Sequence, residues 1–162
     1  KFSVNKAIEL DLESEFSHID IEAAERLKIN SQYDSYTIGQ ANRVDFEGEF
    51  TGFEIDKLYV AGKIGNEYGN IRINFVSKSF EMLDLSNSFS NIKVYIEKGA
   101  SFNFELNSEY GDVSLMNDNT HIKIDRKDNS EQYLEGTYGT GDKKGRVIVD
   151  VEYGNASLKL VE

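Results

Sequence analysis

The side chains of this 162-residue chain best suited to chemistry are its acids, and five of them recur in one setting. Glu15, Glu49, Glu67, Glu109 and Glu152 each stand immediately before an aromatic residue, and Gln32 and Ser88 fill the same slot in two further copies. Stacked strands about 4.8 Å apart would bring this column into line as an acidic stripe. The stripe reads either as a solvated face or as a strip for a divalent cation or a basic ligand. Neither the helix-flanked calcium loop nor the calcium-binding nonapeptide repeat is present in the sequence. No cofactor is therefore expected, with calcium the one ion left open.

Other chemistry is thin. His18 and His121 are far apart in sequence, and no local spacing pairs either with a nucleophile or a metal partner, so both read as solvated surface residues. The glycine-rich run from Gly136 to Gly145, with Lys143 and Lys144, invites a phosphate-loop reading. It lacks the Gly-Lys-Ser/Thr ending that such a loop needs. Tyr133 to Tyr138 and Arg146 to Val151 read instead as the two strands of a C-terminal hairpin around it. Paired carboxylates of the glycosidase kind would have to face each other across a groove. No catalytic residue is assigned and the chain is not expected to be an enzyme. A formal charge of −11 turns away nucleic acid and anionic membrane surfaces, and leaves cations and basic partners open.

The elements that position these residues come from a repeat. Counting from an aromatic anchor as position 0, apolar residues fall at −6, −4, +3 and +5, and a small polar residue falls at −2. The anchors are Phe16, Tyr33, Phe50, Tyr68, Phe89, Tyr110 and Tyr153, spaced by 17, 17, 18, 21, 21 and 43 residues. The second copy, for example, runs Leu27, Ile29, Ser31, Tyr33, Tyr36, Ile38, and the fifth Leu83, Leu85, Asn87, Phe89, Ile92, Val94. The seventh departs by placing Val151 in the small polar slot. A spacing of two is the strand period. The phase slips by one residue between the anchor and +3, which demands a corner, because a slip of one otherwise turns every later side chain to the other face. Gly69, Asn70, Gly111, Gly154 and Asn155 lie at the slip and are expected to supply the positive φ of that corner.

The parity of the pattern places the anchors inside as a stacked aromatic ladder, with the Ser and Asn at −2 as partners for the tyrosine hydroxyls. On the surface, the same row would resemble a sugar-binding platform. A repeat this short cannot bury its own apolar face, so copies must stack. The expected fold is all-β: a single-stranded parallel β-helix, or β-solenoid, of about seven to eight short coils on an axis on the order of 35–40 Å long. It occupies residues 1–162 as one domain, with an irregular insertion at about 116–132 and with Lys1–Glu9 and the C-terminal hairpin as caps. The insertion carries Asn117, Asp118, Asn119, Asp125, Arg126, Lys127, Asp128 and Asn129 and is the best candidate for a specialised loop. The absence of proline suits a chain that spends its N–H groups in ladders, and the absence of cysteine excludes a disulfide scaffold. No apolar run is long enough to cross a bilayer as a helix, and a first residue Lys rather than Met suggests a chain trimmed of a targeting segment.

The phrases NEYGNIRI, NSFSNIKV, NSEYGDVSL and VEYGNASLKL, with the closing GTYGTGDKKGRVIVDVEYG, resemble the adhesin-type β-solenoid domains of unknown function that abound in Bacteroidetes. The resemblance covers nearly the whole chain and implies an extracytoplasmic domain tied to the cell envelope, secreted, periplasmic or on the surface. The expected function is a non-catalytic module that binds a glycan or protein of the cell surface or host through a solenoid face. The alternatives are a structural spacer that stacks through coil ends and a polysaccharide-active enzyme.

Overall fold

The period-two stretches become strands, and the slip at each aromatic becomes a corner. The computed structural model describes residues 1–116, 118–142 and 145–162; Asn117, Lys143 and Lys144 lie outside the described residues. Four long strands come first: β1 (Phe2–Glu15), β2 (His18–Gln32), β3 (Ser35–Glu49) and β4 (Gly52–Glu67). Each runs from one corner to the next and bends on the way. Consecutive members pair in parallel at the repeat spacing, so that Leu10, Leu27, Val44 and Gly62 share one column. Where the spacing lengthens to 21 residues the bend opens into a loop, and each repeat divides in two. The later strands are β5 (Ile71–Val76), β6 (Met82–Ser88), β7 (Ile92–Glu97), β8 (Phe102–Glu109), β9 (Val113–Ser114), β10 (Thr120–Lys127), β11 (Glu131–Tyr138), β12 (Gly145–Glu152) and β13 (Ala156–Val161).

The result is an all-β, strongly curled and mostly parallel sheet, solenoid-like, with two walls around one core. The first half of β4 pairs with β5 and its second half with β6. One wall continues as β5, β7, β13 and β9, the other as β6, β12, β8, β11 and β10. Buried Ile, Val, Leu and Phe side chains from both walls form a single cluster. Besides the apolar positions of the repeat, the bend supplies an inward column of its own: Ala24, Ala41, Leu58, Val76 and Ile96.

Two expectations are corrected here. Tyr133–Tyr138 and Arg146–Val151 do not form a hairpin: β11 pairs antiparallel with one side of β8 and β12 pairs parallel with the other, so β8 lies between them. The hairpin is β10–β11, built from the segment that breaks the repeat. The repeats also stack out of chain order. β12 sits between β6 and β8, and β13 between β7 and β9, so the last repeat, anchored at Tyr153, is inserted between those anchored at Phe89 and Tyr110.

The third correction concerns the anchors. Phe16, Tyr33, Phe50, Tyr68, Phe89, Tyr110 and Tyr153 are not in the core; they are 39–73% exposed. All seven hold positive φ, between 51° and 60°, where Gly and Asn were expected to take it. The left-handed state at the anchor turns two successive residues, −1 and 0, outward, which absorbs the phase slip and returns Asp34 and Thr51 at +1 to the interior. Small residues at +1 answer a spatial need: a Cβ at Gly69 would collide with the carbonyl oxygen of Thr51, and one at Gly111 with that of Gly154.

The left-handed state costs an L-residue roughly 1–2 kcal/mol, the same order as the ~0.5–1.5 kcal/mol of a stacked aromatic pair. Tyr68 stacks on Phe50 at 4.7 Å and on Phe89 at 4.6 Å. Tyr68→Ala and Tyr68→Gly both lose these contacts, but only alanine keeps the φ penalty. The glycine variant is expected to be the more stable by about 1 kcal/mol in denaturant titration. Equal stabilities would show that the corner carries no strain.

Candidate functional site

Turned outward, the anchors form a surface ladder in the order Phe16, Tyr33, Phe50, Tyr68, Phe89, Tyr153, Tyr110, with centroids 4.6–5.1 Å apart and interplanar angles of 2–8°. A sugar platform needs free ring faces. Here both faces of the five inner rings are spent on neighbouring rings, so that between the end rings Phe16 and Tyr110 the surface offers ring edges and tyrosine hydroxyls. Loss of solvent holds the Tyr153 phenol above its ordinary value, with Tyr110, Glu152 and Glu109 adding to the effect.

The acidic column does align. The ladders place Glu15, Gln32, Glu49, Glu67, Ser88, Glu152 and Glu109 side by side, with Glu131 of β11 beyond Glu109. Gln32 bridges to Glu49 at 3.1 Å, and Gln32 and Ser88 break the row of like charges at two places, while Glu49 still faces Glu67 and Glu109 faces both Glu152 and Glu131. Among the described residues no group of three His, Cys, Asp or Glu side chains is placed to hold a metal ion. A second outward column is a hydrogen-bonded ladder. The side-chain oxygens of Asn70, Asn91 and Asn155 accept from the backbone N–H of Asn91, Asn155 and Asp112 at 3.0–3.1 Å.

The inward polar residues at −2 hold the corner backbone. Asn66 donates to the carbonyls of Thr51 and Gly69, Asn87 to those of Gly69 and Asn91, and Ser108 to that of Gly111. They do not serve the anchor tyrosines, whose hydroxyls are at the surface. In the first repeats the same positions converge on a buried acid. Asp34 accepts from Ser14 Oγ at 2.5 Å, Ser31 Oγ at 2.7 Å and the Ser17 N–H at 2.5 Å. Because the one hydroxyl proton of Ser14 goes to Asp34, Tyr36 donates to Ser14 across their 2.5 Å contact. Burial raises the Tyr36 phenol above its ordinary value, and the nearby Asp34 adds to it.

One constellation escaped the sequence reading. His18 Nδ1 meets Ser35 Oγ at 2.5 Å, and His18 Nε2 meets Asp20 Oδ1 at 3.2 Å. This is a Ser–His–carboxylate chain, and the 17-residue period was its only signal, since His18 and Ser35 occupy the same +2 slot in adjacent repeats. It lies on an open face: His18 is half exposed, and the Ser35 N–H is already given to the Ser17 carbonyl, which leaves no donor there for an oxyanion. Lys1, 2.9 Å from Asp20, lowers the pKa of that carboxyl first through its hydrogen bond, and His18 lowers it further. The arrangement is a surface hydrogen-bond chain. His121 lies on β10 and is exposed.

The surface is recessed on the outer face of the β1–β4 wall near the bend. A trough of about 320 Å³ crosses the strands there. One bank carries Glu9, Arg26 and Arg43 and continues as Ala61 and Met82, the other carries Asp11, Lys28, Asp45 and Lys63, and Leu27, Val44 and Gly62 lie between them. Four cations and three carboxylates, Glu9, Asp11 and Asp45, thus line a recess with an apolar floor. Arg43 is braced by Glu81 at 2.8 Å and Lys28 lies 3.9 Å from Asp11.

Two predictions follow from the buried corner. Asp34→Ala strands three donors and is expected to cost about 3 kcal/mol in denaturant unfolding; a loss below 1 kcal/mol would remove Asp34 from the set of residues that hold the fold. The raised phenol of Tyr36 contributes stability that is present in full below the ordinary tyrosine value near 10 and is lost as pH rises from there through the folded value. Tyr36→Phe is therefore expected to lose stability less steeply above pH ~10 than the parent, read by unfolding across alkaline pH.

A protein-family model described as Toastrack DUF4097 matches residues 9–158. No curated protein matches the chain, and no solved structure does.

Proposed function

We propose that this chain, which belongs to the Toastrack family, is a non-catalytic recognition module of the cell envelope or surface that holds an extended, carboxylate-bearing glycan or protein segment in the trough. Its architecture on this reading is a single-stranded parallel β-helix of seven coils, the last slipped between the fifth and sixth. The observation that carries the proposal is the trough itself. Arg26, Arg43, Lys28 and Lys63, interspersed with Glu9, Asp11 and Asp45, line a recess floored by Leu27, Val44 and Gly62 on a chain whose formal charge is −11. Cations on successive strands repeat at about 4.8 Å, so an extended anionic chain laid across the strands meets a new donor every one or two strands. The acidic column, the ladder edges and the asparagine ladder repel or leave such a ligand, which restricts it to this recess. An adhesin role and an extracytoplasmic location belong to the same proposal.

The test is retention of the pure domain, with and without calcium, on immobilised acidic and neutral glycans, peptidoglycan fragments and matrix proteins. Saturable binding to an acidic ligand is expected. It should weaken with salt and fall roughly tenfold in Arg26→Ala/Arg43→Ala. Replacement of Glu15, Glu49, Glu67, Glu109 and Glu152 by Gln should leave it in place. Silence across the panel, or binding that follows the glutamates and ignores the arginines, overturns the proposal and favours a spacer.

A further inference from the structure

The two ends of the curled sheet are finished differently. At the end reached by the C-terminal repeats, the edge strand β10 carries Lys123, Asp125, Arg126 and Lys127, and its ladder with β11 is broken by a bulge between Ile122 and Ile124. Charges and bulges are the devices that keep an exposed edge from pairing. At the other end, β1 presents 14 residues without proline or bulge, and β2 is its only partner among the described residues. Its inward residues Val4, Ala7, Leu10 and Leu12 pack on the core from one side and remain partly exposed, and Ile8, facing out, is 71% exposed.

The spacing of that inward row says what fits it. Phe2, Val4, Ala7, Leu10 and Leu12 lie at −5, −3, 0, +3 and +5 about Ala7, a palindrome centred on the bend. An antiparallel partner with the same sequence, related by a two-fold axis through the bend, sets inward residues only against inward residues. Val4 faces the partner's Leu10, Phe2 faces the partner's Leu12, and Ala7 faces its own mate. The outward rows agree as well: Lys1 meets the partner's Glu13, Ser3 the partner's Asp11, Asn5 the partner's Glu9, and Lys6 the partner's Ile8. No like charges are opposed, although four of the fourteen residues in β1 are acids.

We infer that β1 pairs antiparallel with β1 of a second copy about Ala7, joining two curled sheets end to end through their β1 edges. The partner strand supplies the missing half of the contacts of Val4, Leu10 and Leu12 and takes up the free backbone groups of β1. The inference is independent of the trough.

Sedimentation of the whole chain should show a monomer–dimer equilibrium that stops at the dimer. Its register is tested at Ile8, an exposed residue that meets the partner's Lys6 twice per dimer. Ile8→Lys should weaken the dimer roughly tenfold relative to Ile8→Glu, although the lysine lowers the net negative charge of each copy and the glutamate raises it. Lys6→Glu/Ile8→Lys should restore association. The chain has no cysteine, so Ala7→Cys should cross-link to itself under mild oxidation and Glu13→Cys should not. A chain that stays monomeric leaves the edge to a strand of another protein or of a longer polypeptide and overturns the inference. So do an equal response to Ile8→Lys and Ile8→Glu, cross-linking of Glu13→Cys in preference to Ala7→Cys, and growth into filaments, which means head-to-tail contact.

Discussion

In each repeat one bulky residue is held in a backbone state that L-residues disfavour, and the rest of the molecule depends on those seven corners staying as they are. The left-handed anchor lets −1 and 0 both point outward, so the strand behind the corner and the strand ahead of it both turn their apolar rows inward. Three arrangements hold it there. Rings above and below are stacked within 8° of parallel. Side chains at −2, such as Asn66 and Ser108, bond the carbonyls that the turn leaves free. Small or hydrogen-bonded residues at +1, such as Gly111 and Asp34, allow successive corners to approach at strand spacing. Each corner therefore supports the next, and the columns on the two walls inherit their alignment from the corners.

This division of labour decides which parts of the surface are available for recognition. The aromatic row is the most conspicuous feature of the chain, but its ring faces are spent on one another. The acidic row is aligned, yet Gln32 and Ser88 interrupt it. The Arg26 and Arg43 bank is less conspicuous in sequence, since it lies near the bend and outside the columns that mark the repeat. It is nevertheless where cationic side chains and a recess coincide.

Much of the fold was legible in the sequence because the repeat is a physical record of register. Leu27, Val44 and Leu83 share a slot in sequence and a column in space. The slip between anchor and +3 announced a corner. Parity could not show which residue absorbs it: alternation counted back from Phe50 puts the ring inside, and only the φ of that residue reverses the answer. The order of the last two repeats was hidden for a different reason. Val149 suits the slot beside Leu85 as well as one beyond Leu106, so the pattern alone does not choose between them. The bend column of Ala24 and Ala41 was missed because its three-residue offsets match neither strand nor helix period. Ser35 and His18 carry no local signal along the chain, because this protein brings together neighbours 17 residues apart.

The inserted last repeat also governs the order of assembly. β1 to β4 can zip up one after another, each loop closing over a single period. β8 has no such partner when it is made: its parallel neighbour β12 begins 36 residues beyond its end, and its other neighbour β11 arrives only after β10. Until Gly145–Val161 enters, β6 and β8 face a vacant slot lined by Leu85 and Leu106, and the sheet's most distant contacts wait for that segment to be synthesised. Closure of such long loops slows the approach to the native state. A strand seated between two neighbours is also slow to leave, since both of its ladders must open together. The C-terminal segment thus acts as a keystone, placed last, and its departure would set the rate at which the assembled domain comes apart.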